Sequence, residues 1–246
     1  LPVDEQLDDK LAVFKNRVDE LAGHNIDKGL GDINCTEIQD EDWSTTWKEY
    51  FHPIKVGDLI VIKPSWEEYN ASPDDIIIEL DPGMAFGTGT HHTTSMCIRL
   101  LEEIIKGGQE VFDVGTGSGV LAITAAKLGA MKVTAVDFDP VAVRVAKENI
   151  EANHVSAIIT TGQSDLLKNV DGKADVIIAN IIADIIIRLL DDIPNRLKLG
   201  GTMIASGIIA DRLSDVTKAV IDHGLTVDRV IEEGGWVAMV IHNGGN

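Results

Sequence analysis

The stretch Val111–Asp139, VFDVGTGSGVLAITAAKLGAMKVTAVDFD, decides how the rest of the chain is read. Val111, Phe112 and Val114 form a short apolar run with β-branched members, and Gly115, Gly117 and Gly119 follow it. The alanine-rich segment Val120–Leu128 favours helix, and Lys132–Val136 has the composition of a second strand. This order of strand, glycine turn, helix and strand predicts the start of a nucleotide-binding βαβ unit. Glycines at such a turn let a ligand approach the backbone N–H groups at the helix N-terminus, which a side chain would hold off.

The glycine spacing narrows the ligand. A dinucleotide fingerprint, G-x-G-x-x-G, would put its third glycine at position 120, where this chain has Val120. The G-x-G-x-G run found instead, with Asp113 two residues ahead of it, resembles the first motif of the Rossmann-like S-adenosylmethionine methyltransferases. Asp137 closes the second strand, where a carboxylate accepts hydrogen bonds from both ribose hydroxyls and repels a 2′-phosphate. The competing assignment for Asp137 is a helix cap. Asp139 and Pro140 supply a better cap and first helical residue, which leaves Asp137 for the ligand.

From Asp74 onward strand and helix signals alternate. A strand at Ile76–Leu80 and a helix at Thr93–Ile105 precede the βαβ unit. After it come a helix at Val141–Asn153, strands at Ala157–Thr161 and Asp175–Ala179, and a helix to about Leu197. A strand at Thr202–Ser206, a helix over Ala210–Asp222 and strands at Thr226–Glu232 and Trp236–His242 complete the series, the last two forming a hairpin across Gly234 and Gly235. Strands separated by helices predict an α/β fold with a mostly parallel sheet covered on both faces. The C-terminal antiparallel hairpin is a feature of the Rossmann-like methyltransferase sheet.

Ahead of this region, Leu7, Leu11, Phe14, Val18 and Leu21 recur at steps of four and three, predicting an amphipathic helix that ends at Gly23. A strand is expected around Cys35–Gln39. Trp43, Trp47 and Tyr50 then fall at helical spacing in a chain with only 4% aromatics, and read as a hydrophobic plug between domains rather than a partner surface. His52–Ser72, punctuated by Pro53, Gly57 and Pro64 around two short β-like runs, reads as a connector. The expected organisation is residues 1–50 as a partial small α/β domain, 51–73 as a linker and 74–246 as the methyltransferase-like domain.

Of 246 residues, 21 are Lys or Arg and 40 are Asp or Glu, a formal net charge of −19. That balance argues against direct, sequence-independent binding to nucleic acid, and fits either a basic protein partner or an acidic, solubilising surface. Two cysteines, Cys35 and Cys97, without metal-ligand spacing, read as reduced thiols in a cytoplasmic protein. The most apolar region, Val176–Leu190, is interrupted by Asp184 and Arg188, so no membrane span is expected. The chain opens at Leu1 and Pro2 directly ahead of a helix, as a fragment or processed product would.

Two further stretches bear on function. Asn180 follows the strand Asp175–Ala179, at the carboxyl end where ligands of such sheets lie, and can hold a cofactor's amino-acid moiety or orient an acceptor amine; the bland alternative is a helix cap. Ile181 and Ile182 after it lack the proline and aromatic clamp that grips a nucleobase amine. In Leu80–Ser95, LDPGMAFGTGTHHTTS, three glycines and five Thr or Ser residues lead into a helix, giving donors at its positive end suited to a carboxylate or phosphate. His91 and His92 are adjacent, diverge in direction and have no third partner in the pattern, so a metal site is not expected.

The string DPGMAFGTGTH followed by TTS resembles the signature of the bacterial ribosomal protein L11 methyltransferases, the PrmA family. Downstream, DVGTGSGVLAI, AVDFDP, ADVIIANI, SGI and EEGGWVAMVI also match, so the resemblance covers roughly Trp43–His242. It implies an enzyme that moves methyl groups from S-adenosylmethionine, leaving S-adenosylhomocysteine, to the N-terminal α-amine and lysine ε-amines of a basic ribosomal protein. By motif position it implies cofactor contacts at Thr94, Gly115, Gly117, Asp137 and Asn180, with Phe86 and the Gly87–Thr90 loop closing over the sulfonium end. Members carry a complete small α/β domain ahead of the catalytic one, so Leu1 to about Tyr50 is expected to be the remnant of a substrate-recognition domain. The alternative is a methyltransferase of the same fold acting on a small molecule.

Overall fold

In a computed structural model of the chain, residues 7–20, 51–81 and 91–244 are described. The chain divides into two compact units, Leu1–Tyr50 and Phe51–Asn246. The described element of the first is helix α1, Leu7–Glu20, in which Leu11 and Val18 are half-buried and Phe14 is exposed. The strand expected at Cys35–Gln39 and the Trp43, Trp47 and Tyr50 cluster lie outside the described residues.

The second unit opens with a small sheet of β1 (Ile54–Val56), β2 (Ile60–Lys63) and β3 (Ile76–Glu79), with β1 antiparallel and β3 parallel to β2. The segment read as a linker therefore contributes two strands, and Ile76–Glu79 pairs with them rather than with the main sheet. Burial drives this: Ile60, Val61 and Ile62 are all inside the core. Helix α2, His92–Ile104, holds the β1–β2 turn through Glu102, whose carboxylate accepts the backbone N–H groups of Asp58, Leu59 and Ile60, each at 2.9 Å.

The main sheet comprises β4 (Glu110–Val114), β5 (Lys132–Asp137), β6 (Ile159–Gln163), β7 (Ala174–Asn180), β8 (Leu197–Ile209), β9 (Thr226–Glu233) and β10 (Trp236–His242). Among the described residues its order is β6-β5-β4-β7-β8-β10-β9, parallel from β6 to β8, with β10 antiparallel to both β8 and β9. The helices are α3 (Val120–Lys127), α4 (Pro140–Ala152), α5 (Ala183–Leu189), α6 (Ile193–Arg196) and α7 (Leu213–Asp222). Successive strand residues face opposite sides, which makes two cores. Val111, Val176, Ile178 and Ile204 pack with residues of α2 and α3, whereas Phe112, Ile177, Ala179 and Met203 pack with residues of α5 to α7. Each fully buried isoleucine, such as Ile177 or Ile178, contributes about 1.5–3 kcal/mol. The same alternation sets Asn180, two residues beyond Ile178, on the α2 side.

Two elements differ from expectation. The helix expected to run to Leu197 breaks into α5 and α6, because Pro194 has no N–H to donate and its ring clashes with the carbonyl four residues back. Strand β8 extends well past Thr202–Ser206 in both directions, carrying Gly200, Gly201 and Gly207 within it. Gly201 is required there: a Cβ would lie 2.8 Å from the Lys198 carbonyl oxygen.

Candidate functional site

Strand order reverses between β4 and β7, and the crevice outside their carboxyl ends is where this class of sheet takes a ligand. A cavity of about 570 Å³ lies there, walled by the β4–α3 turn, the ends of β5 and β6, and the start of α5. Its size suits a small organic ligand.

The floor is the glycine turn. Gly115, Gly117 and Gly119 have φ of +75°, +56° and +83°, which L side chains rarely adopt. A Cβ on Gly115 would also fall 2.4 Å from Ile181 Cγ2. The glycines are thus needed for the path of the backbone and the close packing of Ile181, beyond the ligand clearance expected from sequence. Beneath the turn, Asp113 is buried; its Oδ2 accepts from the Thr116 hydroxyl at 2.6 Å and the Ala122 N–H at 3.1 Å. Burial, opposed by those two hydrogen bonds, pushes its carboxyl up to about 6.

Asp137 stands at the end of β5 and tethers the turn, its Oδ2 accepting from the Gly117 N–H at 2.9 Å and its Oδ1 from the Asp139 N–H at 3.0 Å. A carboxylate has about four lone-pair positions, so both oxygens keep capacity for ribose hydroxyls. The helix cap belongs to Asp139, whose Oδ1 accepts from the Val141 N–H at 2.8 Å.

Asn180 and Thr94 meet on the opposite wall, where Asn180 Nδ2 donates to Thr94 Oγ1 at 3.3 Å. Asn180 Oδ1 is buried and has no hydrogen-bond partner among the described residues. An orphaned acceptor lining a cavity is a place for a ligand's N–H. Asn180 is not the cap of α5, a position held by Ile182.

The structure thus brings Thr94, Gly115, Gly117, Asp137 and Asn180 to one cavity. Phe86, Thr90 and the rest of the Gly87–Thr90 loop lie outside the described residues. His91 caps α2, its Nδ1 accepting from the Thr93 N–H at 3.3 Å. Among the described residues, no group of three or more His, Cys, Asp or Glu is placed to hold a metal ion, and no helix is long and apolar enough to cross a membrane. Cys97 is a buried free thiol whose burial pushes its pKa up to about 12, so it is unreactive.

Sequence reasoning missed several wall residues. Phe138 follows the acid of β5, lines the cavity and is 73% exposed. Its place beside Asp137 was a usable signal. Asp165 and Leu166 follow β6 at the same carboxyl edge. Arg188 reaches Asp165 from α5, and Lys168 and Arg188 together hold the Asp165 carboxyl below its usual range. Leu166 has φ +54°, strained for a branched apolar residue, which no sequence pattern announces.

A family model described as "Ribosomal protein L11 methyltransferase (PrmA)" matches residues 5–244. The chain is 49% identical over 240 residues to a ribosomal protein L11 methyltransferase of Alkaliphilus oremlandii, covering 98% of this chain and 77% of the relative. It is 46% identical over 243 residues to that of Bacillus cytotoxicus, covering 98% and 78%. Among solved structures, a ribosomal protein L11 methylase from Lactobacillus delbrueckii subsp. bulgaricus superposes with a TM-score of 0.73 at 36% identity, covering 78% of this chain and 97% of that one.

Proposed function

The chain belongs to the ribosomal protein L11 methyltransferase (PrmA) family, and from that premise we propose that it transfers methyl groups from S-adenosylmethionine to the N-terminal α-amine and lysine ε-amines of L11. The protein is a methyltransferase of protein substrates; a small-molecule acceptor is not favoured, since relatives at 46–49% identity carry the L11 methyltransferase name. The observation that carries the active-site reading is the orphaned Asn180 Oδ1 in the cavity wall. The reading puts the enzyme in the cytoplasm, with the ribosomal protein it acts on.

When bound, S-adenosylmethionine supplies an activated methyl group on a positively charged sulfur. The chain's part is placement. Asp137 would hold the ribose hydroxyls, and the Gly115–Gly119 turn would bring the backbone against the ligand. Phe138 and Leu166 cover its apolar faces. Asn180 Oδ1 would accept an N–H of the incoming amine and so orient it for transfer. A lysine amine, with an ordinary pKa of about 10.4, must be neutral to attack, and removal from water at the cavity lowers that value.

The test is the intact mass of purified L11 after incubation with the chain and S-adenosylmethionine, alongside Asn180→Ala. Wild type should add methyl groups to L11, and Asn180→Ala should slow the transfer on the order of a hundredfold. L11 of unchanged mass would sink the substrate assignment. Full activity in the variant would remove Asn180 from the mechanism.

A further inference from the structure

Two pairs of residues with no part in the cavity meet in space: Gly234 and Trp236 of the C-terminal hairpin, and His91 and His92 at the start of α2. Gly234 has φ +59° at the β9–β10 turn, and a Cβ there would lie 2.5 Å from His92 Cδ2 and 2.6 Å from His92 Nε2. Positive φ alone would admit Asn or Asp at a hairpin turn. A Cβ there would have to push the exposed His92 imidazole aside. Trp236 meets His91 edge to face, with ring centroids 5.1 Å apart and planes at 71°. Two ion pairs of opposite sense tie the same hairpin to α2, Arg99 to Glu233 and Glu103 to Arg229, both at 2.6 Å.

His91 bonds to Thr93, the residue next to Thr94 of the cavity wall. Its Nδ1 caps the Thr93 N–H at 3.3 Å and lies 2.8 Å from the Thr93 hydroxyl. The next residue, Thr94, accepts from Asn180 Nδ2 and so sets the rotation of an amide in the cavity wall whose buried Oδ1 has no partner among the described residues.

We propose that the β9–β10 turn is a positioning element for the acceptor end of the site: Gly234 and Trp236 hold His92 and His91, and through the His91 cap set Thr94 against Asn180. The inference rests on the methyltransferase reading above and assigns a role to the EEGGW stretch, which that reading leaves without one. None of these residues touches the reacting atoms; they act through the amide.

The experiment is a double-mutant cycle of Gly234→Ala and His92→Ala, with Trp236→Ala and Trp236→Phe beside it. Methylation of L11 is followed kinetically, and S-adenosylhomocysteine binding by calorimetry. Gly234→Ala should lower kcat on the order of tenfold to a hundredfold while S-adenosylhomocysteine affinity stays within about twofold, since the displaced group lies at the acceptor end. In the His92→Ala background, where the clash is gone, the same substitution should change kcat by less than about twofold. Trp236→Phe should keep the activity that Trp236→Ala loses. Full turnover in Gly234→Ala, or an equal loss in both backgrounds, would overturn the proposal. A readout free of the acceptor's identity is the Asn180 side-chain amide resonance: it should move in Gly234→Ala and Trp236→Ala and stay put in Trp236→Phe. An unmoved resonance in the first two would also overturn the proposal. Absence of wild-type turnover on L11 would instead overturn the function proposed above, with the amide resonance still deciding the role of the turn.

Discussion

Asp113 carries the sharpest consequence at the scale of single residues. Its carboxyl is raised to about 6 in the folded protein, above an unfolded value of about 3.9, so the folded state holds an extra proton between those limits. The stability this supplies is fully present below the unfolded value and is lost as pH rises through the folded one. Asp113→Asn, which cannot ionise, should remove the slope. Wild-type stability relative to the variant, measured by denaturant melts, should fall between about pH 4 and about pH 6, by no more than about 3 kcal/mol. Parallel pH curves would refute it. Gly115→Ala meets both a positive φ and the Ile181 methyl at 2.4 Å, so it should destabilise by about 2 kcal/mol or more and weaken S-adenosylhomocysteine binding. The positions of the glycines and Asp137 were legible because their spacing follows from the βαβ geometry, and that of Asn180 because it ends a strand. Leu166 was not, because no local pattern signals a positive φ at a branched apolar residue.

At the scale of elements, ends and breaks matter most. Glu102 of α2 satisfies three turn amides at once, so Glu102→Ala should cost on the order of 2–3 kcal/mol and speed hydrogen exchange at Asp58, Leu59 and Ile60. Unchanged exchange at those amides would mean the turn stands without it. At the end of α7, His223 Nδ1 lies 2.7 Å from the Ala219 carbonyl oxygen and Nε2 lies 3.0 Å from Asp191. The carbonyl and then the carboxylate raise its pKa, so its stabilising effect is full below the unfolded value and fades as pH rises through the folded one. His223→Gln should therefore destabilise more at about pH 5.5 than at about pH 8 in thermal melts. The main-sheet elements were readable from alternating apolar runs and glycine punctuation. The α5–α6 break was overlooked although Pro194 marked it, and β8 runs beyond the expected Thr202–Ser206 through Gly200, Gly201 and Gly207. Strands β1 and β2 were seen as short runs, but nothing local shows that β3 joins them rather than the main sheet. Pairing partners are a tertiary fact.

At the scale of the whole molecule, the proposal of a basic ribosomal protein as acceptor predicts that a chain of formal charge −19 binds it with a strong electrostatic component. The KM for L11 should rise several-fold between about 50 and about 300 mM salt while kcat changes little, whereas a flat KM would leave the acidic surface to solubility alone. The fold class followed from the repeating strand–helix pattern and family membership from strings spread over most of the chain, whereas the order of the strands emerged only in the structure. The central claim is that the crevice between β4, β5 and β7 is an S-adenosylmethionine pocket gripped by Asp137. Calorimetric titration with S-adenosylmethionine and S-adenosylhomocysteine, with NADH as control and Asp137→Ala as comparison, tests it most directly. Micromolar binding of both sulfur ligands, weakened at least about tenfold by the substitution and absent for NADH, is the predicted result. No binding by the folded wild type, or equal affinity in Asp137→Ala, would contradict it.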